Sequence, residues 1–330
     1  MLSAAIIGCG KIATKFANDP LMKDDVFTHA EAYVRCSDTQ LIAVADIDPL
    51  QARACAEQWE IPYWFTSVHE MLERIQPEIV SICTPDGTHA QIAKDMLRNN
   101  RNLRGLLIEK PLAQTEREAL DLVELARSRG VVLAVVFMRR YAENVRAVQV
   151  LIQSGELGTV EFVQGLYGKG VRHNGCHWLD MLRMLVGDVA WVEAWDRLQD
   201  STVDPTLDVR IGLDQGAVAM LNGVRADQYT LFEMDILASK GRIRLTESCH
   251  RVELFKVGSS SRHTGYNELR VLNHDFGQRR DMLLHAVEDL VESLSAGRPP
   301  ACNGEDGIAV ARITDACMQS ACLKKRMRLY

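Results

Sequence analysis

Short apolar runs recur along the first part of the chain, at residues 4–7, 41–45, 79–83, 106–108 and 131–137. They are continuous rather than alternating, as expected of strands covered on both faces. Between them, residues 49–59, 89–99 and 116–129 repeat apolar positions at helical spacing, and each stretch is long enough to cross back over a sheet. This rhythm predicts an α/β fold with a doubly wound parallel sheet. After about residue 140 the pattern changes. Leu207, Val209, Ile211 and Leu213 alternate with Asp208, Arg210 and Gly212, and Phe232, Met234 and Ile236 alternate with Glu233 and Asp235. Period-two alternation marks strands with one covered face, so the second part reads as an α+β domain with an open, mostly antiparallel sheet. A helical stretch at 281–296, the turn signal GRPP and a closing helix from about residue 305 complete it. There is no repeat at solenoid periods and no flexible linker. Two domains are expected, 1–125 and 126–330.

A length of 330 residues suits that division, since domains usually run to about 100 to 200 residues. The 47% hydrophobic and 25% charged composition excludes collagen-like and disordered classes. No run approaches the roughly 18 apolar residues of a membrane helix, so no membrane partner is expected. Lys and Arg number 38 against 44 Asp and Glu, a net charge of −6, which leaves no positive field to gather nucleic acid. The nine cysteines are scattered without a CxxC pair, as reduced, buried thiols would be. The N-terminus has no basic leader. These features together suggest a cytoplasmic protein.

The chemistry concentrates at strand ends. Gly8, Cys9, Gly10, Lys11, Ile12 and Ala13 fit GxGxxA directly after the first strand, where a tight turn opens a helix and lets backbone approach a pyrophosphate near Gly10, Lys11 and Ile12. Asp46 ends the second strand, where a carboxylate accepts from ribose hydroxyls and repels a 2′-phosphate. NAD is therefore favoured over NADP. Asp46 stands 36 residues beyond Gly10, against the usual spacing of about 20, and an insertion at 18–28 would account for the excess. The bland alternative is a carboxylate that only caps the turn before Pro49. Two further strand ends, Thr84-Pro85 with His89 beyond, and Glu109-Lys110-Pro111, fall where ligands of open α/β sheets sit. Lys110 can equally be a surface charge.

A third cluster runs from Arg172 to Asp180. With a helix starting near Asn174, His173, His177 and Asp180 can approach one face. His173, Cys176 and His177 are also possible zinc ligands, but no second pair at zinc spacing follows, so no metal is expected. A buried, satisfied histidine pair is the other reading. GxSxG, HExxH and GxxxxGK[ST] are all absent, and His69-Glu70 reads as a helix face.

Over nearly its whole length the chain resembles the family of glucose-fructose oxidoreductase, inositol 2-dehydrogenase and the rhizopine-catabolism protein MocA. The resemblance rests on GCGKIA, the VAD at Asp46, CTPDGTH from Cys83, EKP at Glu109, FMRRY with Arg139, HNGCHWLD from His173, FEMDILASKGRIRL from Phe232, and GRPP. It implies an N-terminal Rossmann domain and a C-terminal domain that binds substrate and forms dimers or tetramers through its sheet. It also implies a sugar or cyclitol substrate, with Lys110 near substrate and nicotinamide before an often cis proline bond, and His177 as acid/base. His173, Asn174, Asp180 and Arg139 would bind or orient substrate. Gly8, Gly10, Lys11, Ile12, Asp46, Thr84, Pro85, His89 and Glu109 would hold the cofactor. Relatives often carry Asp where this chain has His173. Some members keep the dinucleotide bound through a full cycle or assist glycoside cleavage, and others act as regulators without catalysis.

Overall fold

The computed structural model describes residues 1–329, which divide into two compact units. The first comprises Met1–Tyr141 and Arg280–Ala311. Among the described residues, its strands β1 (Leu2–Ile7), β2 (Thr39–Ala45), β3 (Tyr63–Phe65), β4 (Ile79–Ile82), β5 (Gly105–Glu109) and β6 (Val132–Val136) form one parallel sheet in the order β3-β2-β1-β4-β5-β6. This is the Rossmann order, with the strand direction of travel reversing between β1 and β4.

Helices α1 (His29–Arg35), α2 (Pro49–Gln58), α3 (Val68–Arg74), α4 (His89–Asn99) and α5 (Glu116–Ser128) connect the strands. Their starts are written locally. Thr28, Ser67 and Thr115 each accept the backbone N–H of a glutamate three residues on, and Asp48 accepts from Leu50 ahead of Pro49 at the first helical position. A side-chain oxygen at the N-cap satisfies one of the donors a helix start leaves open.

The boundary expected at 125/126 is corrected. It falls inside α5, and the strand after that helix, β6, pairs with β5 and completes the parallel sheet. The chain also returns to this unit later. Leu283, Val287 and Leu290 of α8 (Met282–Ala296) share a buried core with Ala30 and Tyr33 of α1, Ile79, and Val136.

A second correction concerns the glycine turn. No helix opens at Lys11. Residues 10–14 make one loose turn, short 3-10 turns follow at Lys15–Asn18 and Pro20–Met22, and α1 begins only at His29. The amides of His29 and Ala30 donate to the carbonyls of Ile12 and Ala13 at 3.2 and 2.9 Å, so the helix resumes on the turn it left. Residues 14–28 are thus an excursion inside one helical connection, somewhat longer than the 18–28 insertion expected. Without it, Asp46 returns to near the usual spacing of about 20 residues.

The second unit comprises Ala142–Arg279 and Arg312–Tyr330, of which Tyr330 lies outside the described residues. Its strands are β7 (Val160–Tyr167), β8 (Val189–Trp195), β9 (Asp208–Leu213), β10 (Val218–Gly223), β11 (Phe232–Ala238), β12 (Gly241–Thr246), β13 (Arg251–Ser259), β14 (Asn267–Leu272) and β15 (Met327–Arg328). They run in the order β14-β13-β12-β11-β7-β10-β9-β8-β15, and among the described residues β7 and β10 pair in parallel while the other neighbours pair antiparallel.

The alternation read from sequence sorts its two faces. Phe232, Met234 and Ile236 are buried, while Asp235 on the other face pairs with Arg242 on β12. Helices α6 (Glu143–Gln153) and α7 (Cys176–Leu185) belong to this unit, and α9 (Gly304–Leu323) begins in the first unit and ends in the second.

Candidate functional site

In the first unit, a cleft of about 810 Å³ opens at the carboxyl ends of β1, β2 and β4, at the point where the strand order reverses. Gly8, Gly10, Asp46, Thr84, Pro85 and Thr88 line it. Gly8, just past the end of β1, has φ +91°, and a Cβ there would stand 2.8 Å from the Cys83 backbone. Around Gly10 the space is open: nothing lies within 4 Å of where a Cβ would stand.

Asp46 reaches across to this turn. One carboxylate oxygen accepts the Cys9 amide at 2.7 Å and the other accepts the Asp48 amide at 2.9 Å. A carboxylate offers about four acceptor directions, so this one is fixed in place with capacity to spare. Asp46 does cap the turn before Pro49, through the Asp48 amide, while its other oxygen reaches the glycine turn; the N-cap of the following helix is Asp48. Cys9, between the glycines, is a poor nucleophile: a thiol hydrogen bond with Cys55, burial and the Asp46 charge all push its pKa up.

At the end of β5, Glu109 is buried and one of its oxygens receives the Nε2–H of His29 at 3.0 Å. His29 Nδ1 lies 2.9 Å from Ser81 Oγ, which lies 2.8 Å from the Tyr33 hydroxyl. His29, Ser81 and Tyr33 are all fully buried, and burial pushes the Tyr33 phenol up. Sequence reasoning missed these three. His29 falls just past the segment read as an insertion, and nothing local marks it, because its partner lies 80 residues away.

The Lys110–Pro111 bond is cis, as the resemblance implied. His89 is not in the cleft wall. It is fully buried, with Nδ1 2.8 Å from the Pro111 carbonyl and Nε2 2.7 Å from the Thr84 carbonyl. Its expected place among the groups touching a cofactor is corrected on that ground: both ring nitrogens are spent on backbone. Lys11 is exposed beside the glycine turn, Ile12 is half-buried, and Arg139 is buried in a 3-10 turn after β6.

The second unit carries the remaining residues. Gly165 leaves β7 without a side chain where Trp178 of α7 lies against it, and the Trp178 indole donates to the Glu233 carbonyl at 3.0 Å. This seats α7 on the sheet with His177 and Asp180 buried near its start, three residues apart.

The helix begins at Cys176 rather than near Asn174, and Val171–Gly175 form one π-helical turn ahead of it. The wider turn breaks the α-helical spacing that would have placed His173 with the other two. His173 is exposed, whereas His177 and Asp180 are buried. Asn174 donates to the Gly168 carbonyl at 3.0 Å.

Asp204 holds the turn by accepting the amides of Arg172 and His173 at 2.8 and 2.9 Å. Gly170, at φ +84°, would place a Cβ 2.1 Å from that carboxylate. Gly170→Ala is therefore expected to expel Asp204 and lower stability by roughly 2–4 kcal/mol, read as a fall in the thermal midpoint. An unchanged midpoint would show that the turn does not depend on this cap.

Among the described residues, no group of three His, Cys, Asp or Glu side chains is gathered to hold a metal. None of the described helices is long and apolar enough to cross a membrane.

Two family models match the chain: an oxidoreductase family with an NAD-binding Rossmann fold over residues 2–137, and the C-terminal alpha/beta domain of the same family over 151–329. The chain belongs to the Gfo/Idh/MocA oxidoreductase family. Within this family it is 25% identical to inositol 2-dehydrogenase of Rhizobium meliloti over 328 residues, covering 91% of this chain and 95% of that one. D-glucoside 3-dehydrogenase of Escherichia coli is 30% identical over 159 residues, 48% of this chain and 41% of the relative.

The crystal structure of the WlbA dehydrogenase from Bordetella pertussis, in complex with NADH and UDP-GlcNAcA, superposes with a TM-score of 0.81 at 19% identity. The match covers 100% of this chain and 99% of that one, and at this identity it shows the fold. The protein thus belongs to an oxidoreductase family described by an NAD-binding Rossmann fold, with sugar and cyclitol dehydrogenases among its relatives.

Proposed function

We propose that this protein is an NAD-dependent dehydrogenase that moves a hydride between a secondary alcohol of a sugar, cyclitol or nucleotide sugar and the nicotinamide. The observation that supports this best is the Asp46 carboxylate, held by two backbone amides at the mouth of the cleft beside the open space over Gly10. The residues present fit a dinucleotide. Asp46 has lone pairs left for the two hydroxyls of an adenosine ribose, and the open backbone at Gly10 leaves room for a diphosphate.

When bound, the nicotinamide supplies the hydride acceptor or donor. The chain's own residues do the rest. His177 takes the hydroxyl proton in the oxidising direction and returns it in the other, the general acid/base role for which imidazole is most often used. Lys110 hydrogen-bonds the substrate oxygen and stabilises charge developing there. Asp180 orients His177, and Asn174, His173 and Arg139 meet the substrate. Glu109, Thr84 and Pro85 border the nicotinamide half, with Lys11 and Ile12 beside the diphosphate.

The substrate class follows the relatives, which are named for inositol and a glucoside, and the solved structure that holds UDP-GlcNAcA. A homo-oligomer formed through the nine-stranded sheet belongs to the same reading. Val257, Tyr266, Leu269 and Val271 leave the β13 and β14 edge of that sheet apolar and exposed.

The testing experiment titrates NADH and NADPH by fluorescence into the wild type and Asp46→Ala. The wild type is expected to favour NADH. Loss of a charged hydrogen-bond partner weakens NADH binding by about 1.5–3 kcal/mol, and loss of the anion relaxes the bias against NADPH. The same ratio of the two affinities in both proteins would remove Asp46 from the ribose site. Absence of saturable binding in the wild type would leave only the fold.

A further inference from the structure

Lys110 stands between two residues that are each held by a buried histidine. On its N-terminal side, the Glu109 carboxylate receives His29 Nε2–H at 3.0 Å. In the neutral ring with its proton on Nε2, Nδ1 is an acceptor, so Ser81 donates to it and Tyr33 donates to Ser81, at 2.9 and 2.8 Å. In that arrangement every donor along the network points toward Glu109, and the carboxylate, which is costly to bury alone, is satisfied at one oxygen. On the C-terminal side, His89 spans the Pro111 and Thr84 carbonyls.

Both residues are fully buried, and each is tied to a segment near the glycine turn or the cleft. The His29 backbone donates to the Ile12 carbonyl at 3.2 Å, and His89 opens α4 beside the Thr84 loop.

We infer that His29 and His89 are positioning residues that fix the Lys110 segment from its two sides and tie it to the loops that line the dinucleotide cleft. Neither touches substrate or cofactor. The inference rests on the reading of Lys110 as the residue at the reacting oxygen. Precise placement matters there, because a misplacement of about 1 Å costs on the order of 100-fold in rate.

The test compares the wild type with His29→Leu, His89→Leu, His29→Gln and His89→Gln. Leucine fills the space without a hydrogen bond, and glutamine keeps a donor near Nε2. Amide hydrogen exchange over residues 109–113 is expected to be faster by about tenfold in the leucine variants, a local opening of the kind exchange detects, and to return toward wild type with glutamine. Wild-type exchange there in folded leucine variants would overturn the inference.

Imidazole 15N spectra of the unmodified protein cover the case in which a leucine variant does not fold. A slowly exchanging His29 Nε2–H that shifts in Glu109→Gln is expected, and ring protons in fast exchange with water would overturn the His29 link. None of these readouts needs a dinucleotide. NADH titration of the same proteins separates the two readings: a wild type that does not bind NADH defeats the cofactor assignment, whereas NADH binding with unchanged exchange in the leucine variants defeats the positioning role alone.

Discussion

His177→Ala is expected to lose kcat by on the order of 100-fold or more, and Lys110→Ala to do the same, while NADH affinity changes by less than about threefold. A 100-fold loss corresponds to about 2.7 kcal/mol of transition-state stabilisation, the scale of one positioned proton-transfer group or one charged hydrogen bond to a developing alkoxide. The affinity part of the prediction separates the roles. The groups read as holding the dinucleotide, Asp46 and the glycine turn, lie in the first unit around the cleft, whereas His177 is carried by α7 of the second.

His177 is buried on a helix seated by Trp178, so truncation to alanine also leaves a small cavity. Thermal unfolding of each variant distinguishes lost chemistry from lost folding. If a folded His177→Ala protein turned over its substrate at the wild-type rate, another group would have to handle the proton. The same result for Lys110→Ala would remove the lysine from the reacting oxygen.

The parts of this site that could be read from the sequence are those set by local pattern. Buried strands end at Ile7, Ala45 and Ile82 as largely apolar runs, and the residues just beyond them, Gly8, Asp46 and Thr84, fall at the cleft because ligands of a doubly wound sheet sit outside the carboxyl ends of its strands.

What could not be read depends on distant partners or on backbone geometry. Residues 14–28 mix Asn, Asp, Pro and Lys with scattered apolar positions, so no period reveals that α1 resumes at His29. His29 gains its meaning from Glu109, and the return of α8 to the first unit is fixed by packing against Ile79 and Val136, not by anything in its own amphipathic pattern. The π-turn before α7 was equally hidden. It is imposed by Asp204, about 30 residues downstream, capping the Arg172 and His173 amides, and spacing arithmetic that assumes an α-helix cannot anticipate it.

The two glycines of the turn look alike in sequence and are expected to fail in opposite ways. Gly8 adopts φ +91°, and a Cβ there would sit 2.8 Å from the Cys83 carbonyl carbon and oxygen and 2.9 Å from the Thr84 nitrogen. Those atoms are backbone at the end of β4, tied to β1 by the Cys83 amide donating to the Ile7 carbonyl at 2.8 Å, so they cannot step aside without parting the two central strands. Left-handed strain and a backbone clash together make Gly8→Ala destabilising by roughly 3–5 kcal/mol, a fall in thermal midpoint on the order of 10 °C for a domain of this size.

Gly10 has neither constraint, and nothing lies within 4 Å of its would-be Cβ. Gly10→Ala is expected to leave the thermal midpoint unchanged or raise it slightly, since alanine has less unfolded-state freedom to lose. A methyl group there would stand in the space read as the diphosphate's, so NADH affinity should fall by about tenfold or more, roughly 1.4 kcal/mol. Thermal melts and NADH titrations of both variants check this directly. A Gly10→Ala protein that bound NADH as tightly as the wild type would place the diphosphate elsewhere in the cleft. A Gly8→Ala protein of undiminished stability would mean that β1 and β4 can separate at their ends after all.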